Sequence, residues 1–494
     1  MSDQPHVLLI STDHWPAHLL GAAGHSAIRT PTLDTLAASG VRYTNTYAEC
    51  PVCIPARRTL MTGVTPRTHG DREFAVQEPM PRLPTMAQTF RDAGYQAYAV
   101  GKLHVFPQRD RIGFDDVILA EEGRPILGAI DDYELWLTEQ GYPGLSYGHG
   151  MSNNEYVYRA WHLPERTHAT NWATEQMCRM IRRRDPTRPG FWYLSYCHPH
   201  PPLVPLQWYW DFYADAEIPL PHSSPWAQAA DELPYALRVI QQRYGTNFSE
   251  AELRGIRRAF YALCTHIDHQ LRLVIGTLRE EQLLENTIIC FTADHGDMLG
   301  NHGLWAKRLY YDDSANIPMI LLGPAGDPRT PAGTTDDRIV GWQDVMPTLL
   351  HLAGIPIPAT VEGISMVGDQ RRDYLYGEVG DGPMGTRMIR EQRYKLIYYP
   401  TGNCTQLFDM DVDPLEQADL SASPAHAEIR ERLTARLIGE LYGGDEAWVQ
   451  DGQLVGTPDR DFQPGPNRGL SGQRGIHWPP PPLDLRGKQV GMPG

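Results

Sequence analysis

The sequence predicts an α/β protein: a mostly parallel sheet flanked by helices, then a smaller antiparallel sheet with one helix. Three observations carry that expectation. Short apolar runs recur along the chain, and each ends in polar residues fit for chemistry. Stretches of helical period separate them. Beyond about residue 370 the runs lie too close together for crossover helices, which parallel strands require.

The elements follow in order. Residues 7–10 (Val-Leu-Leu-Ile) run into Asp13 and His14. Residues 32–39 have helical spacing and stop at Gly40, a C-cap signal. Residues 95–100 run into Gly101-Lys102-Leu103-His104, and residues 191–196 into His198-Pro199-His200. Residues 250–278 place Leu253, Ile256, Phe260, Leu263, Ile267, Leu271 and Val274 three or four apart, which predicts a long helix. Residues 288–292 run into Asp294-His295-Gly296. In an open α/β sheet, ligands bind beyond the carboxyl ends of the strands. The four polar clusters are therefore expected to share one site.

Residues 373–379, 387–391, 394–399 and 406–408 are short strand candidates joined by tight turns. Residues 425–441 then carry Ile429, Leu433, Leu437 and Leu441 on one helical face. The expected division is a catalytic body over 1–370, a small α+β unit over 371–443, and a Gly/Pro-rich tail over 444–494. Pro479 to Pro482 lie in that tail, and its composition admits two readings: it wraps over the body or a neighbouring copy in a homo-oligomer, or it stays disordered.

Composition narrows the function. The chain has 494 residues, with 44 Lys+Arg against 60 Asp+Glu, a formal charge of −16. Nucleic acids and anionic membranes need a basic surface, so neither is an expected partner. No apolar run approaches the about 20 residues that span a bilayer. Nothing near the N-terminus has the length of a signal-peptide core, so a cytoplasmic location is the default expectation. The seven cysteines are odd in number and irregularly spaced, which is not a disulfide framework. Cys50 and Cys53 form a CxxC pair, by itself a weak redox signal.

The segment around Cys53 is the most informative. Pro55 suits the first turn of a helix and Gly63 its end, which puts Cys53 just before the helix N-terminus. Backbone N–H groups there favour an anion, and Arg57 lies one turn on. A cysteine so placed is electrostatically primed.

Cys53-x-Pro55-x-Arg57 followed by Met61-Thr62-Gly63 resembles the signature of the type I sulfatases, in the alkaline phosphatase superfamily. Asp13, Gly101-Lys102-Leu103-His104, Pro199-His200-Pro201-Pro202, Thr292-Ala293-Asp294-His295-Gly296 and Asn301 to Lys307 resemble further motifs of that family, in its order. Residues 394–396, 407–409 and 413–414 resemble its C-terminal sheet. The resemblance implies an alkaline-phosphatase-like fold and an arylsulfatase-like sulfuric ester hydrolase. It implies that a maturation enzyme oxidises Cys53 to formylglycine, whose hydrate attacks sulfur. It assigns Asp13, His14, Cys53, Asp294 and His295 to one divalent metal ion. By the same resemblance, Arg57, Lys102 and Lys307 are expected to surround the transferred group, His200 to protonate or polarise the leaving oxygen, and His104 to assist release of sulfate.

Two positions depart from the family pattern. Ala56 stands where sulfatases usually have Ser, as in phosphonate monoester hydrolases, while Lys102 and His104 favour a sulfatase. His14 stands where Asp is usual. If its imidazole binds metal, the preference moves from the family's calcium towards manganese or zinc; otherwise it turns to a neighbour. A metal-stabilised binding protein with an unmodified Cys53 is the reading from another class. Aromatic residues crowd 133–161 and 208–213, and either line a pocket for an aryl or sugar ring or pack the core.

Overall fold

The computed structural model describes residues 4–122, 130–228, 232–244 and 248–462. Eight strands form the main sheet: β1 (His6–Thr12), β2 (Val41–Tyr47), β3 (Gln96–Gly101), β4 (Asp116–Leu119), β5 (Gly190–Ser195), β6 (Thr287–Ala293), β7 (Met319–Leu322) and β8 (Thr334–Gly341). Their spatial order is β4-β3-β5-β1-β6-β7-β2-β8. β1 lies at the centre, parallel to β5 and β6, with Val7 opposite Phe191 on one side and Ile288 on the other. β5 and β6 are buried along their whole length, which is why they read as unbroken apolar runs. Only β7 is reversed; it runs antiparallel to both β6 and β2. The chain between β6 and β7 is a long loop with a short 3-10 helix, Asn301–Gly303, and a short α-helix, Asp312–Ala315, in place of a crossover helix.

The long helix, Glu250–Glu280, is started by a capping box in which the Ser249 hydroxyl accepts from the Glu252 N–H and the Glu252 carboxylate accepts from the Ser249 N–H. It packs against the helices Pro31–Ser39 and Ala169–Arg182.

The small sheet has strands β9 (Tyr374–Val379), β10 (Thr386–Glu391), β11 (Tyr394–Tyr399) and β12 (Cys404–Asp409), antiparallel in the order β12-β11-β10-β9. Ile389, Leu396 and Leu407 pack with Leu433 and Leu437 of the helix Ala427–Glu440, forming a second core. Residues beyond 443 join the same core. Trp448 is buried in it, and a hairpin pairs Val449–Gln450 with Gln453–Leu454. Residues 463–494, with Pro479 to Pro482, lie outside the described residues. All seven cysteines are free, and among the described residues no helix is long and apolar enough to cross a membrane.

Candidate active site

Strand register brings the polar clusters together. Ser11 of β1 is opposite Ser195 of β5, Thr12 is opposite Ala293 of β6, and Gly101 of β3 is opposite Ser195. Asp13, Lys102 and Asp294 therefore leave neighbouring strands at the same edge. The chain turns sharply there: His14 and His104 both adopt left-handed backbone, at φ 69° and 60°. Such values are costly for residues with a Cβ and tend to mark functional sites.

Cys53 arrives on a ten-residue helix, Cys53–Thr62, every residue of which is buried. The helix ends at Gly63, whose φ of 67° suits glycine and whose N–H closes on Thr59 O. It starts at Cys53 itself, one residue earlier than the sequence suggests, because Ala56 N–H bonds to Val52 O and so makes Val52 the cap. Pro55 falls at the third helical position, where a missing N–H costs nothing because the first turn has no intrahelical acceptors.

Cys53 Sγ lies 3.2 Å from His295 Nε2 and 3.8 Å from Asp13 Oδ1. Burial and Asp13 push the thiol up, but Lys307, Lys102 and His295 outweigh them and hold it below its ordinary value. Burial lowers His295 too; Asp294 and Cys53 reverse that and raise it. Each of the two groups thus favours the charged form of the other. Burial alone would raise Asp13, yet Lys102 leads a set of positive neighbours that keep it well below the carboxylate range. Burial and the charge on Asp13 push Asp294 up.

The cations are tightly held. Lys102, fully buried, touches Asp13 Oδ2 and donates to Glu122 Oε1 at 2.5 Å. Arg57 Nε donates to Asp294 Oδ2 at 3.0 Å, and its Nη1 to Lys102 O at 2.6 Å and Ser195 Oγ at 2.8 Å. Arg57 Nη2 is buried with no hydrogen-bond acceptor among the described residues. Lys307 Nζ touches His14 Nε2 and lies 3.3 Å from His200 Nε2.

Ring orientation follows from the partners. His200 Nδ1 faces Pro201 O at 2.6 Å, and His295 Nδ1 faces Gly296 O at 2.9 Å. A carbonyl only accepts, so both Nδ1 atoms carry hydrogen. His14 Nδ1 sits 2.6 Å from Asp297 Oδ2, which also accepts from Tyr156 OH at 2.5 Å. A carboxylate behind a ligating imidazole is the usual support of a metal site. All three rings direct Nε2 inward.

Asp13, His14, Cys53 and His295 each offer one ligand atom, all within 4.8 Å of one another. Two imidazoles, a carboxylate and residue 53 fit a divalent cation of borderline softness. Asp294 stands beside this group, with Oδ1 3.6 Å from His295 Nε2 and Oδ2 turned to Arg57. Asp13, Glu122 and His200 form a second such group, but the Lys102 ammonium already lies between Asp13 and Glu122.

His104 is buried with its ring edge-on to Phe74. Beside His200 opens a cavity lined by Glu122, Tyr133, Tyr147, His149 and Trp161. The aromatic residues of the sequence thus divide. Tyr133, Tyr147 and Trp161 face this cavity, Tyr156 supports Asp297, and Tyr158 stacks on Trp210.

Sequence reasoning missed Glu121, Glu122 and Asp297. The acidic pair follows a short apolar run, Val117 to Ala120, and so obeys the same rule as the other clusters. Asp297 lies inside a motif already singled out.

A family model described as Sulfatase matches residues 5–355, and one described as N-sulphoglucosamine sulphohydrolase, C-terminal, matches 300–441. The chain is 32% identical over 470 residues to an arylsulfatase of Clostridium perfringens, covering 92% of this chain and 97% of that one. It is 29% identical to a choline-sulfatase of Rhizobium meliloti, covering 87% and 85%. The phosphonate monoester hydrolase of Agrobacterium radiobacter has the same fold, with a TM-score of 0.77 at 23% identity over 88% of this chain and 95% of that one.

Proposed function

The chain belongs to the type I sulfatases of the alkaline phosphatase superfamily and is a sulfuric ester hydrolase; from that premise we propose that it cleaves an organic sulfate ester at residue 53. Water and ester give an alcohol or phenol plus inorganic sulfate. The observation that carries the reading is Arg57 Nη2: a buried guanidinium donor one helical turn from Cys53 that makes no hydrogen bond among the described residues, with Asp13 Oδ2 3.8 Å away. A buried donor left unmet asks for an anionic oxygen.

By resemblance, a maturation enzyme converts Cys53 to formylglycine, which supplies the oxygen nucleophile, and a divalent cation supplies local positive charge. In this reading Asp13, His14, Asp294 and His295 hold the cation with residue 53. Asp297 fixes His14 through its Nδ1. Arg57, Lys102 and Lys307 bind the sulfate oxygens and stabilise charge as the ester bond breaks.

In this reading the role of His200 differs from the one the resemblance gives it. Burial lowers its pKa to about 3, and its Nε2 faces Lys307. With Nδ1 turned to a carbonyl, His200 Nε2 is left to accept from Lys307, which in this reading is the donor beside the leaving oxygen. His104 keeps the role the resemblance gives it, assisting release of sulfate. The organic part of the substrate lodges against Tyr133, Tyr147 and Trp161.

Ala56 supports one alternative, a phosphonate monoester hydrolase on the same scaffold. Parallel assays with 4-nitrophenyl sulfate and a phenyl phosphonate monoester separate the two. The reading expects the larger kcat/KM for the sulfate; a faster phosphonate reaction overturns it.

A further inference from the structure

We infer that the acidic pair Glu121–Glu122 positions the Lys102–His104 segment for the reaction, Glu121 through its backbone and Glu122 through its ammonium. The inference rests on the sulfatase reading for its consequence and on geometry for its existence.

Glu121 Oε1 accepts two backbone N–H groups at once, Leu103 at 2.8 Å and His104 at 2.8 Å. These amides belong to the segment that turns through left-handed backbone at His104. A residue with a Cβ holds that conformation only where its surroundings over-determine it, and the two bonds do so. Glu121 is itself fixed from behind, since its N–H donates to Asp131 Oδ2 at 2.5 Å. Asp131 also caps the helix Asp132–Glu139, its Oδ1 accepting from Glu134 N–H at 2.8 Å. A helix terminus is thereby tied to Glu121, and Glu121 to the loop carrying Lys102 and His104.

The next residue acts on the side chain. Glu122 Oε1 takes the Lys102 ammonium at 2.5 Å, while Asp13 takes it from another direction. Two anchors hold a long lysine chain in one place, where one would leave its rotamers free. Glu122 also lines the cavity beside His200, so the shared ammonium stands at the border between the sulfate site and the pocket. Neither glutamate reaches the reacting atoms; both act through Lys102 and His104.

Burying Glu121 is expensive, and burial pushes its carboxyl up to about 7. Its second oxygen has no protein partner among the described residues. An ordinary core position would not keep such a group; a loop that must present a lysine and a histidine has reason to.

The test compares Glu121→Ala, Glu121→Gln and Glu122→Gln with wild type, using 4-nitrophenyl sulfate and hydrogen exchange of the 102–104 amides. An amide oxygen accepts the same two bonds as a carboxylate. Glu121→Ala is expected to lower kcat about thirtyfold at little change in KM, two hydrogen bonds' worth, and to speed exchange at Leu103 and His104. Glu121→Gln is expected to recover most of both losses. Glu122→Gln is expected to lower kcat about tenfold without changing melting temperature or amide exchange, because it weakens one charge-assisted bond and no backbone bond. Wild-type kcat and exchange in Glu121→Ala overturn the clamp, as does a Glu121→Gln variant no better than Ala. Wild-type kcat in Glu122→Gln overturns the part assigned to Glu122. If wild type turns over no sulfate ester, the functional reading fails, and the exchange pattern still decides the clamp.

Discussion

The protein gathers buried charge around Cys53 and where the body meets the small sheet, and the two clusters differ in how their cations are balanced. Where the body meets the small sheet, Lys395, Arg72 and Arg387 end on carboxylates. Lys395 Nζ lies 2.6 Å from Asp312 Oδ1 and 2.6 Å from Glu416 Oε1. Arg72 reaches Glu378 at 2.9 Å and Asp445 at 2.8 Å, and Arg387 reaches Asp445 at 2.7 Å. Around Cys53, Lys102 and Arg57 also reach carboxylates, but the cations converge on one centre. Among the described residues Lys307 faces two imidazole nitrogens and no carboxylate within ion-pair distance, and Arg57 Nη2 makes no hydrogen bond, with Asp13 Oδ2 3.8 Å away. Both clusters are buried, so burial does not mark a site. The difference lies at Lys307, which faces imidazole nitrogens where Lys395 faces carboxylates.

That contrast can be broken by substitutions matched in chemistry. Lys307→Met removes a cation that no carboxylate balances. It is expected to lower kcat by about 10²–10³-fold, the cost of one charge-stabilising donor, with little change in stability. Equal kcat would place Lys307 in the structural class. Lys395→Met removes a cation that two carboxylates do balance, leaving buried charge unpaired. It is expected to cost about 3–5 kcal/mol of stability, read by denaturant unfolding, while the folded fraction turns over substrate within a few-fold of wild type. A large loss of turnover at unchanged stability would erase the distinction.

A third group sharpens the comparison by belonging to neither cluster. His69 sits against Thr59 on the Cys53 helix, and burial, aided by Arg58, lowers its pKa from 6.5 to about 3. The folded ring stays neutral down to about 3, whereas the unfolded ring takes up a proton below 6.5. Its contribution to stability is complete above pH 6.5 and is lost as pH falls through that window. His69→Gln is expected to make the acid-side decline shallower by at most about 1.4 kcal/mol per pH unit. An unchanged slope would show that the ring titrates alike in both states.

Much of this arrangement was legible in the sequence because it depends on local pattern. The buried strands β1, β3, β5 and β6 read as apolar runs, and their carboxyl ends carry Asp13, Lys102, His200 and Asp294 in neighbouring positions. The Cys53 helix was readable from Pro55 and Gly63 to within one residue. The rest depends on pairings between distant segments. The reversal of β7 is set by its partners β6 and β2, not by its own four residues. Glu121 and Glu122 follow a strand too short to stand out, and their meaning comes from Lys102 and the amides about twenty residues earlier. The tautomer of His200 depends on a carbonyl that no spacing rule identifies.

The central claim is that residue 53 is the reacting centre on which these cations converge. A peptide mass spectrum across Cys53, taken on protein that is turning over 4-nitrophenyl sulfate, tests it most directly, with Cys53→Ala as the control. The account predicts the formylglycine aldehyde or its hydrate at residue 53 in active protein, and turnover lost to background in the alanine variant. An intact thiol in fully active protein, or turnover retained in Cys53→Ala, would contradict it.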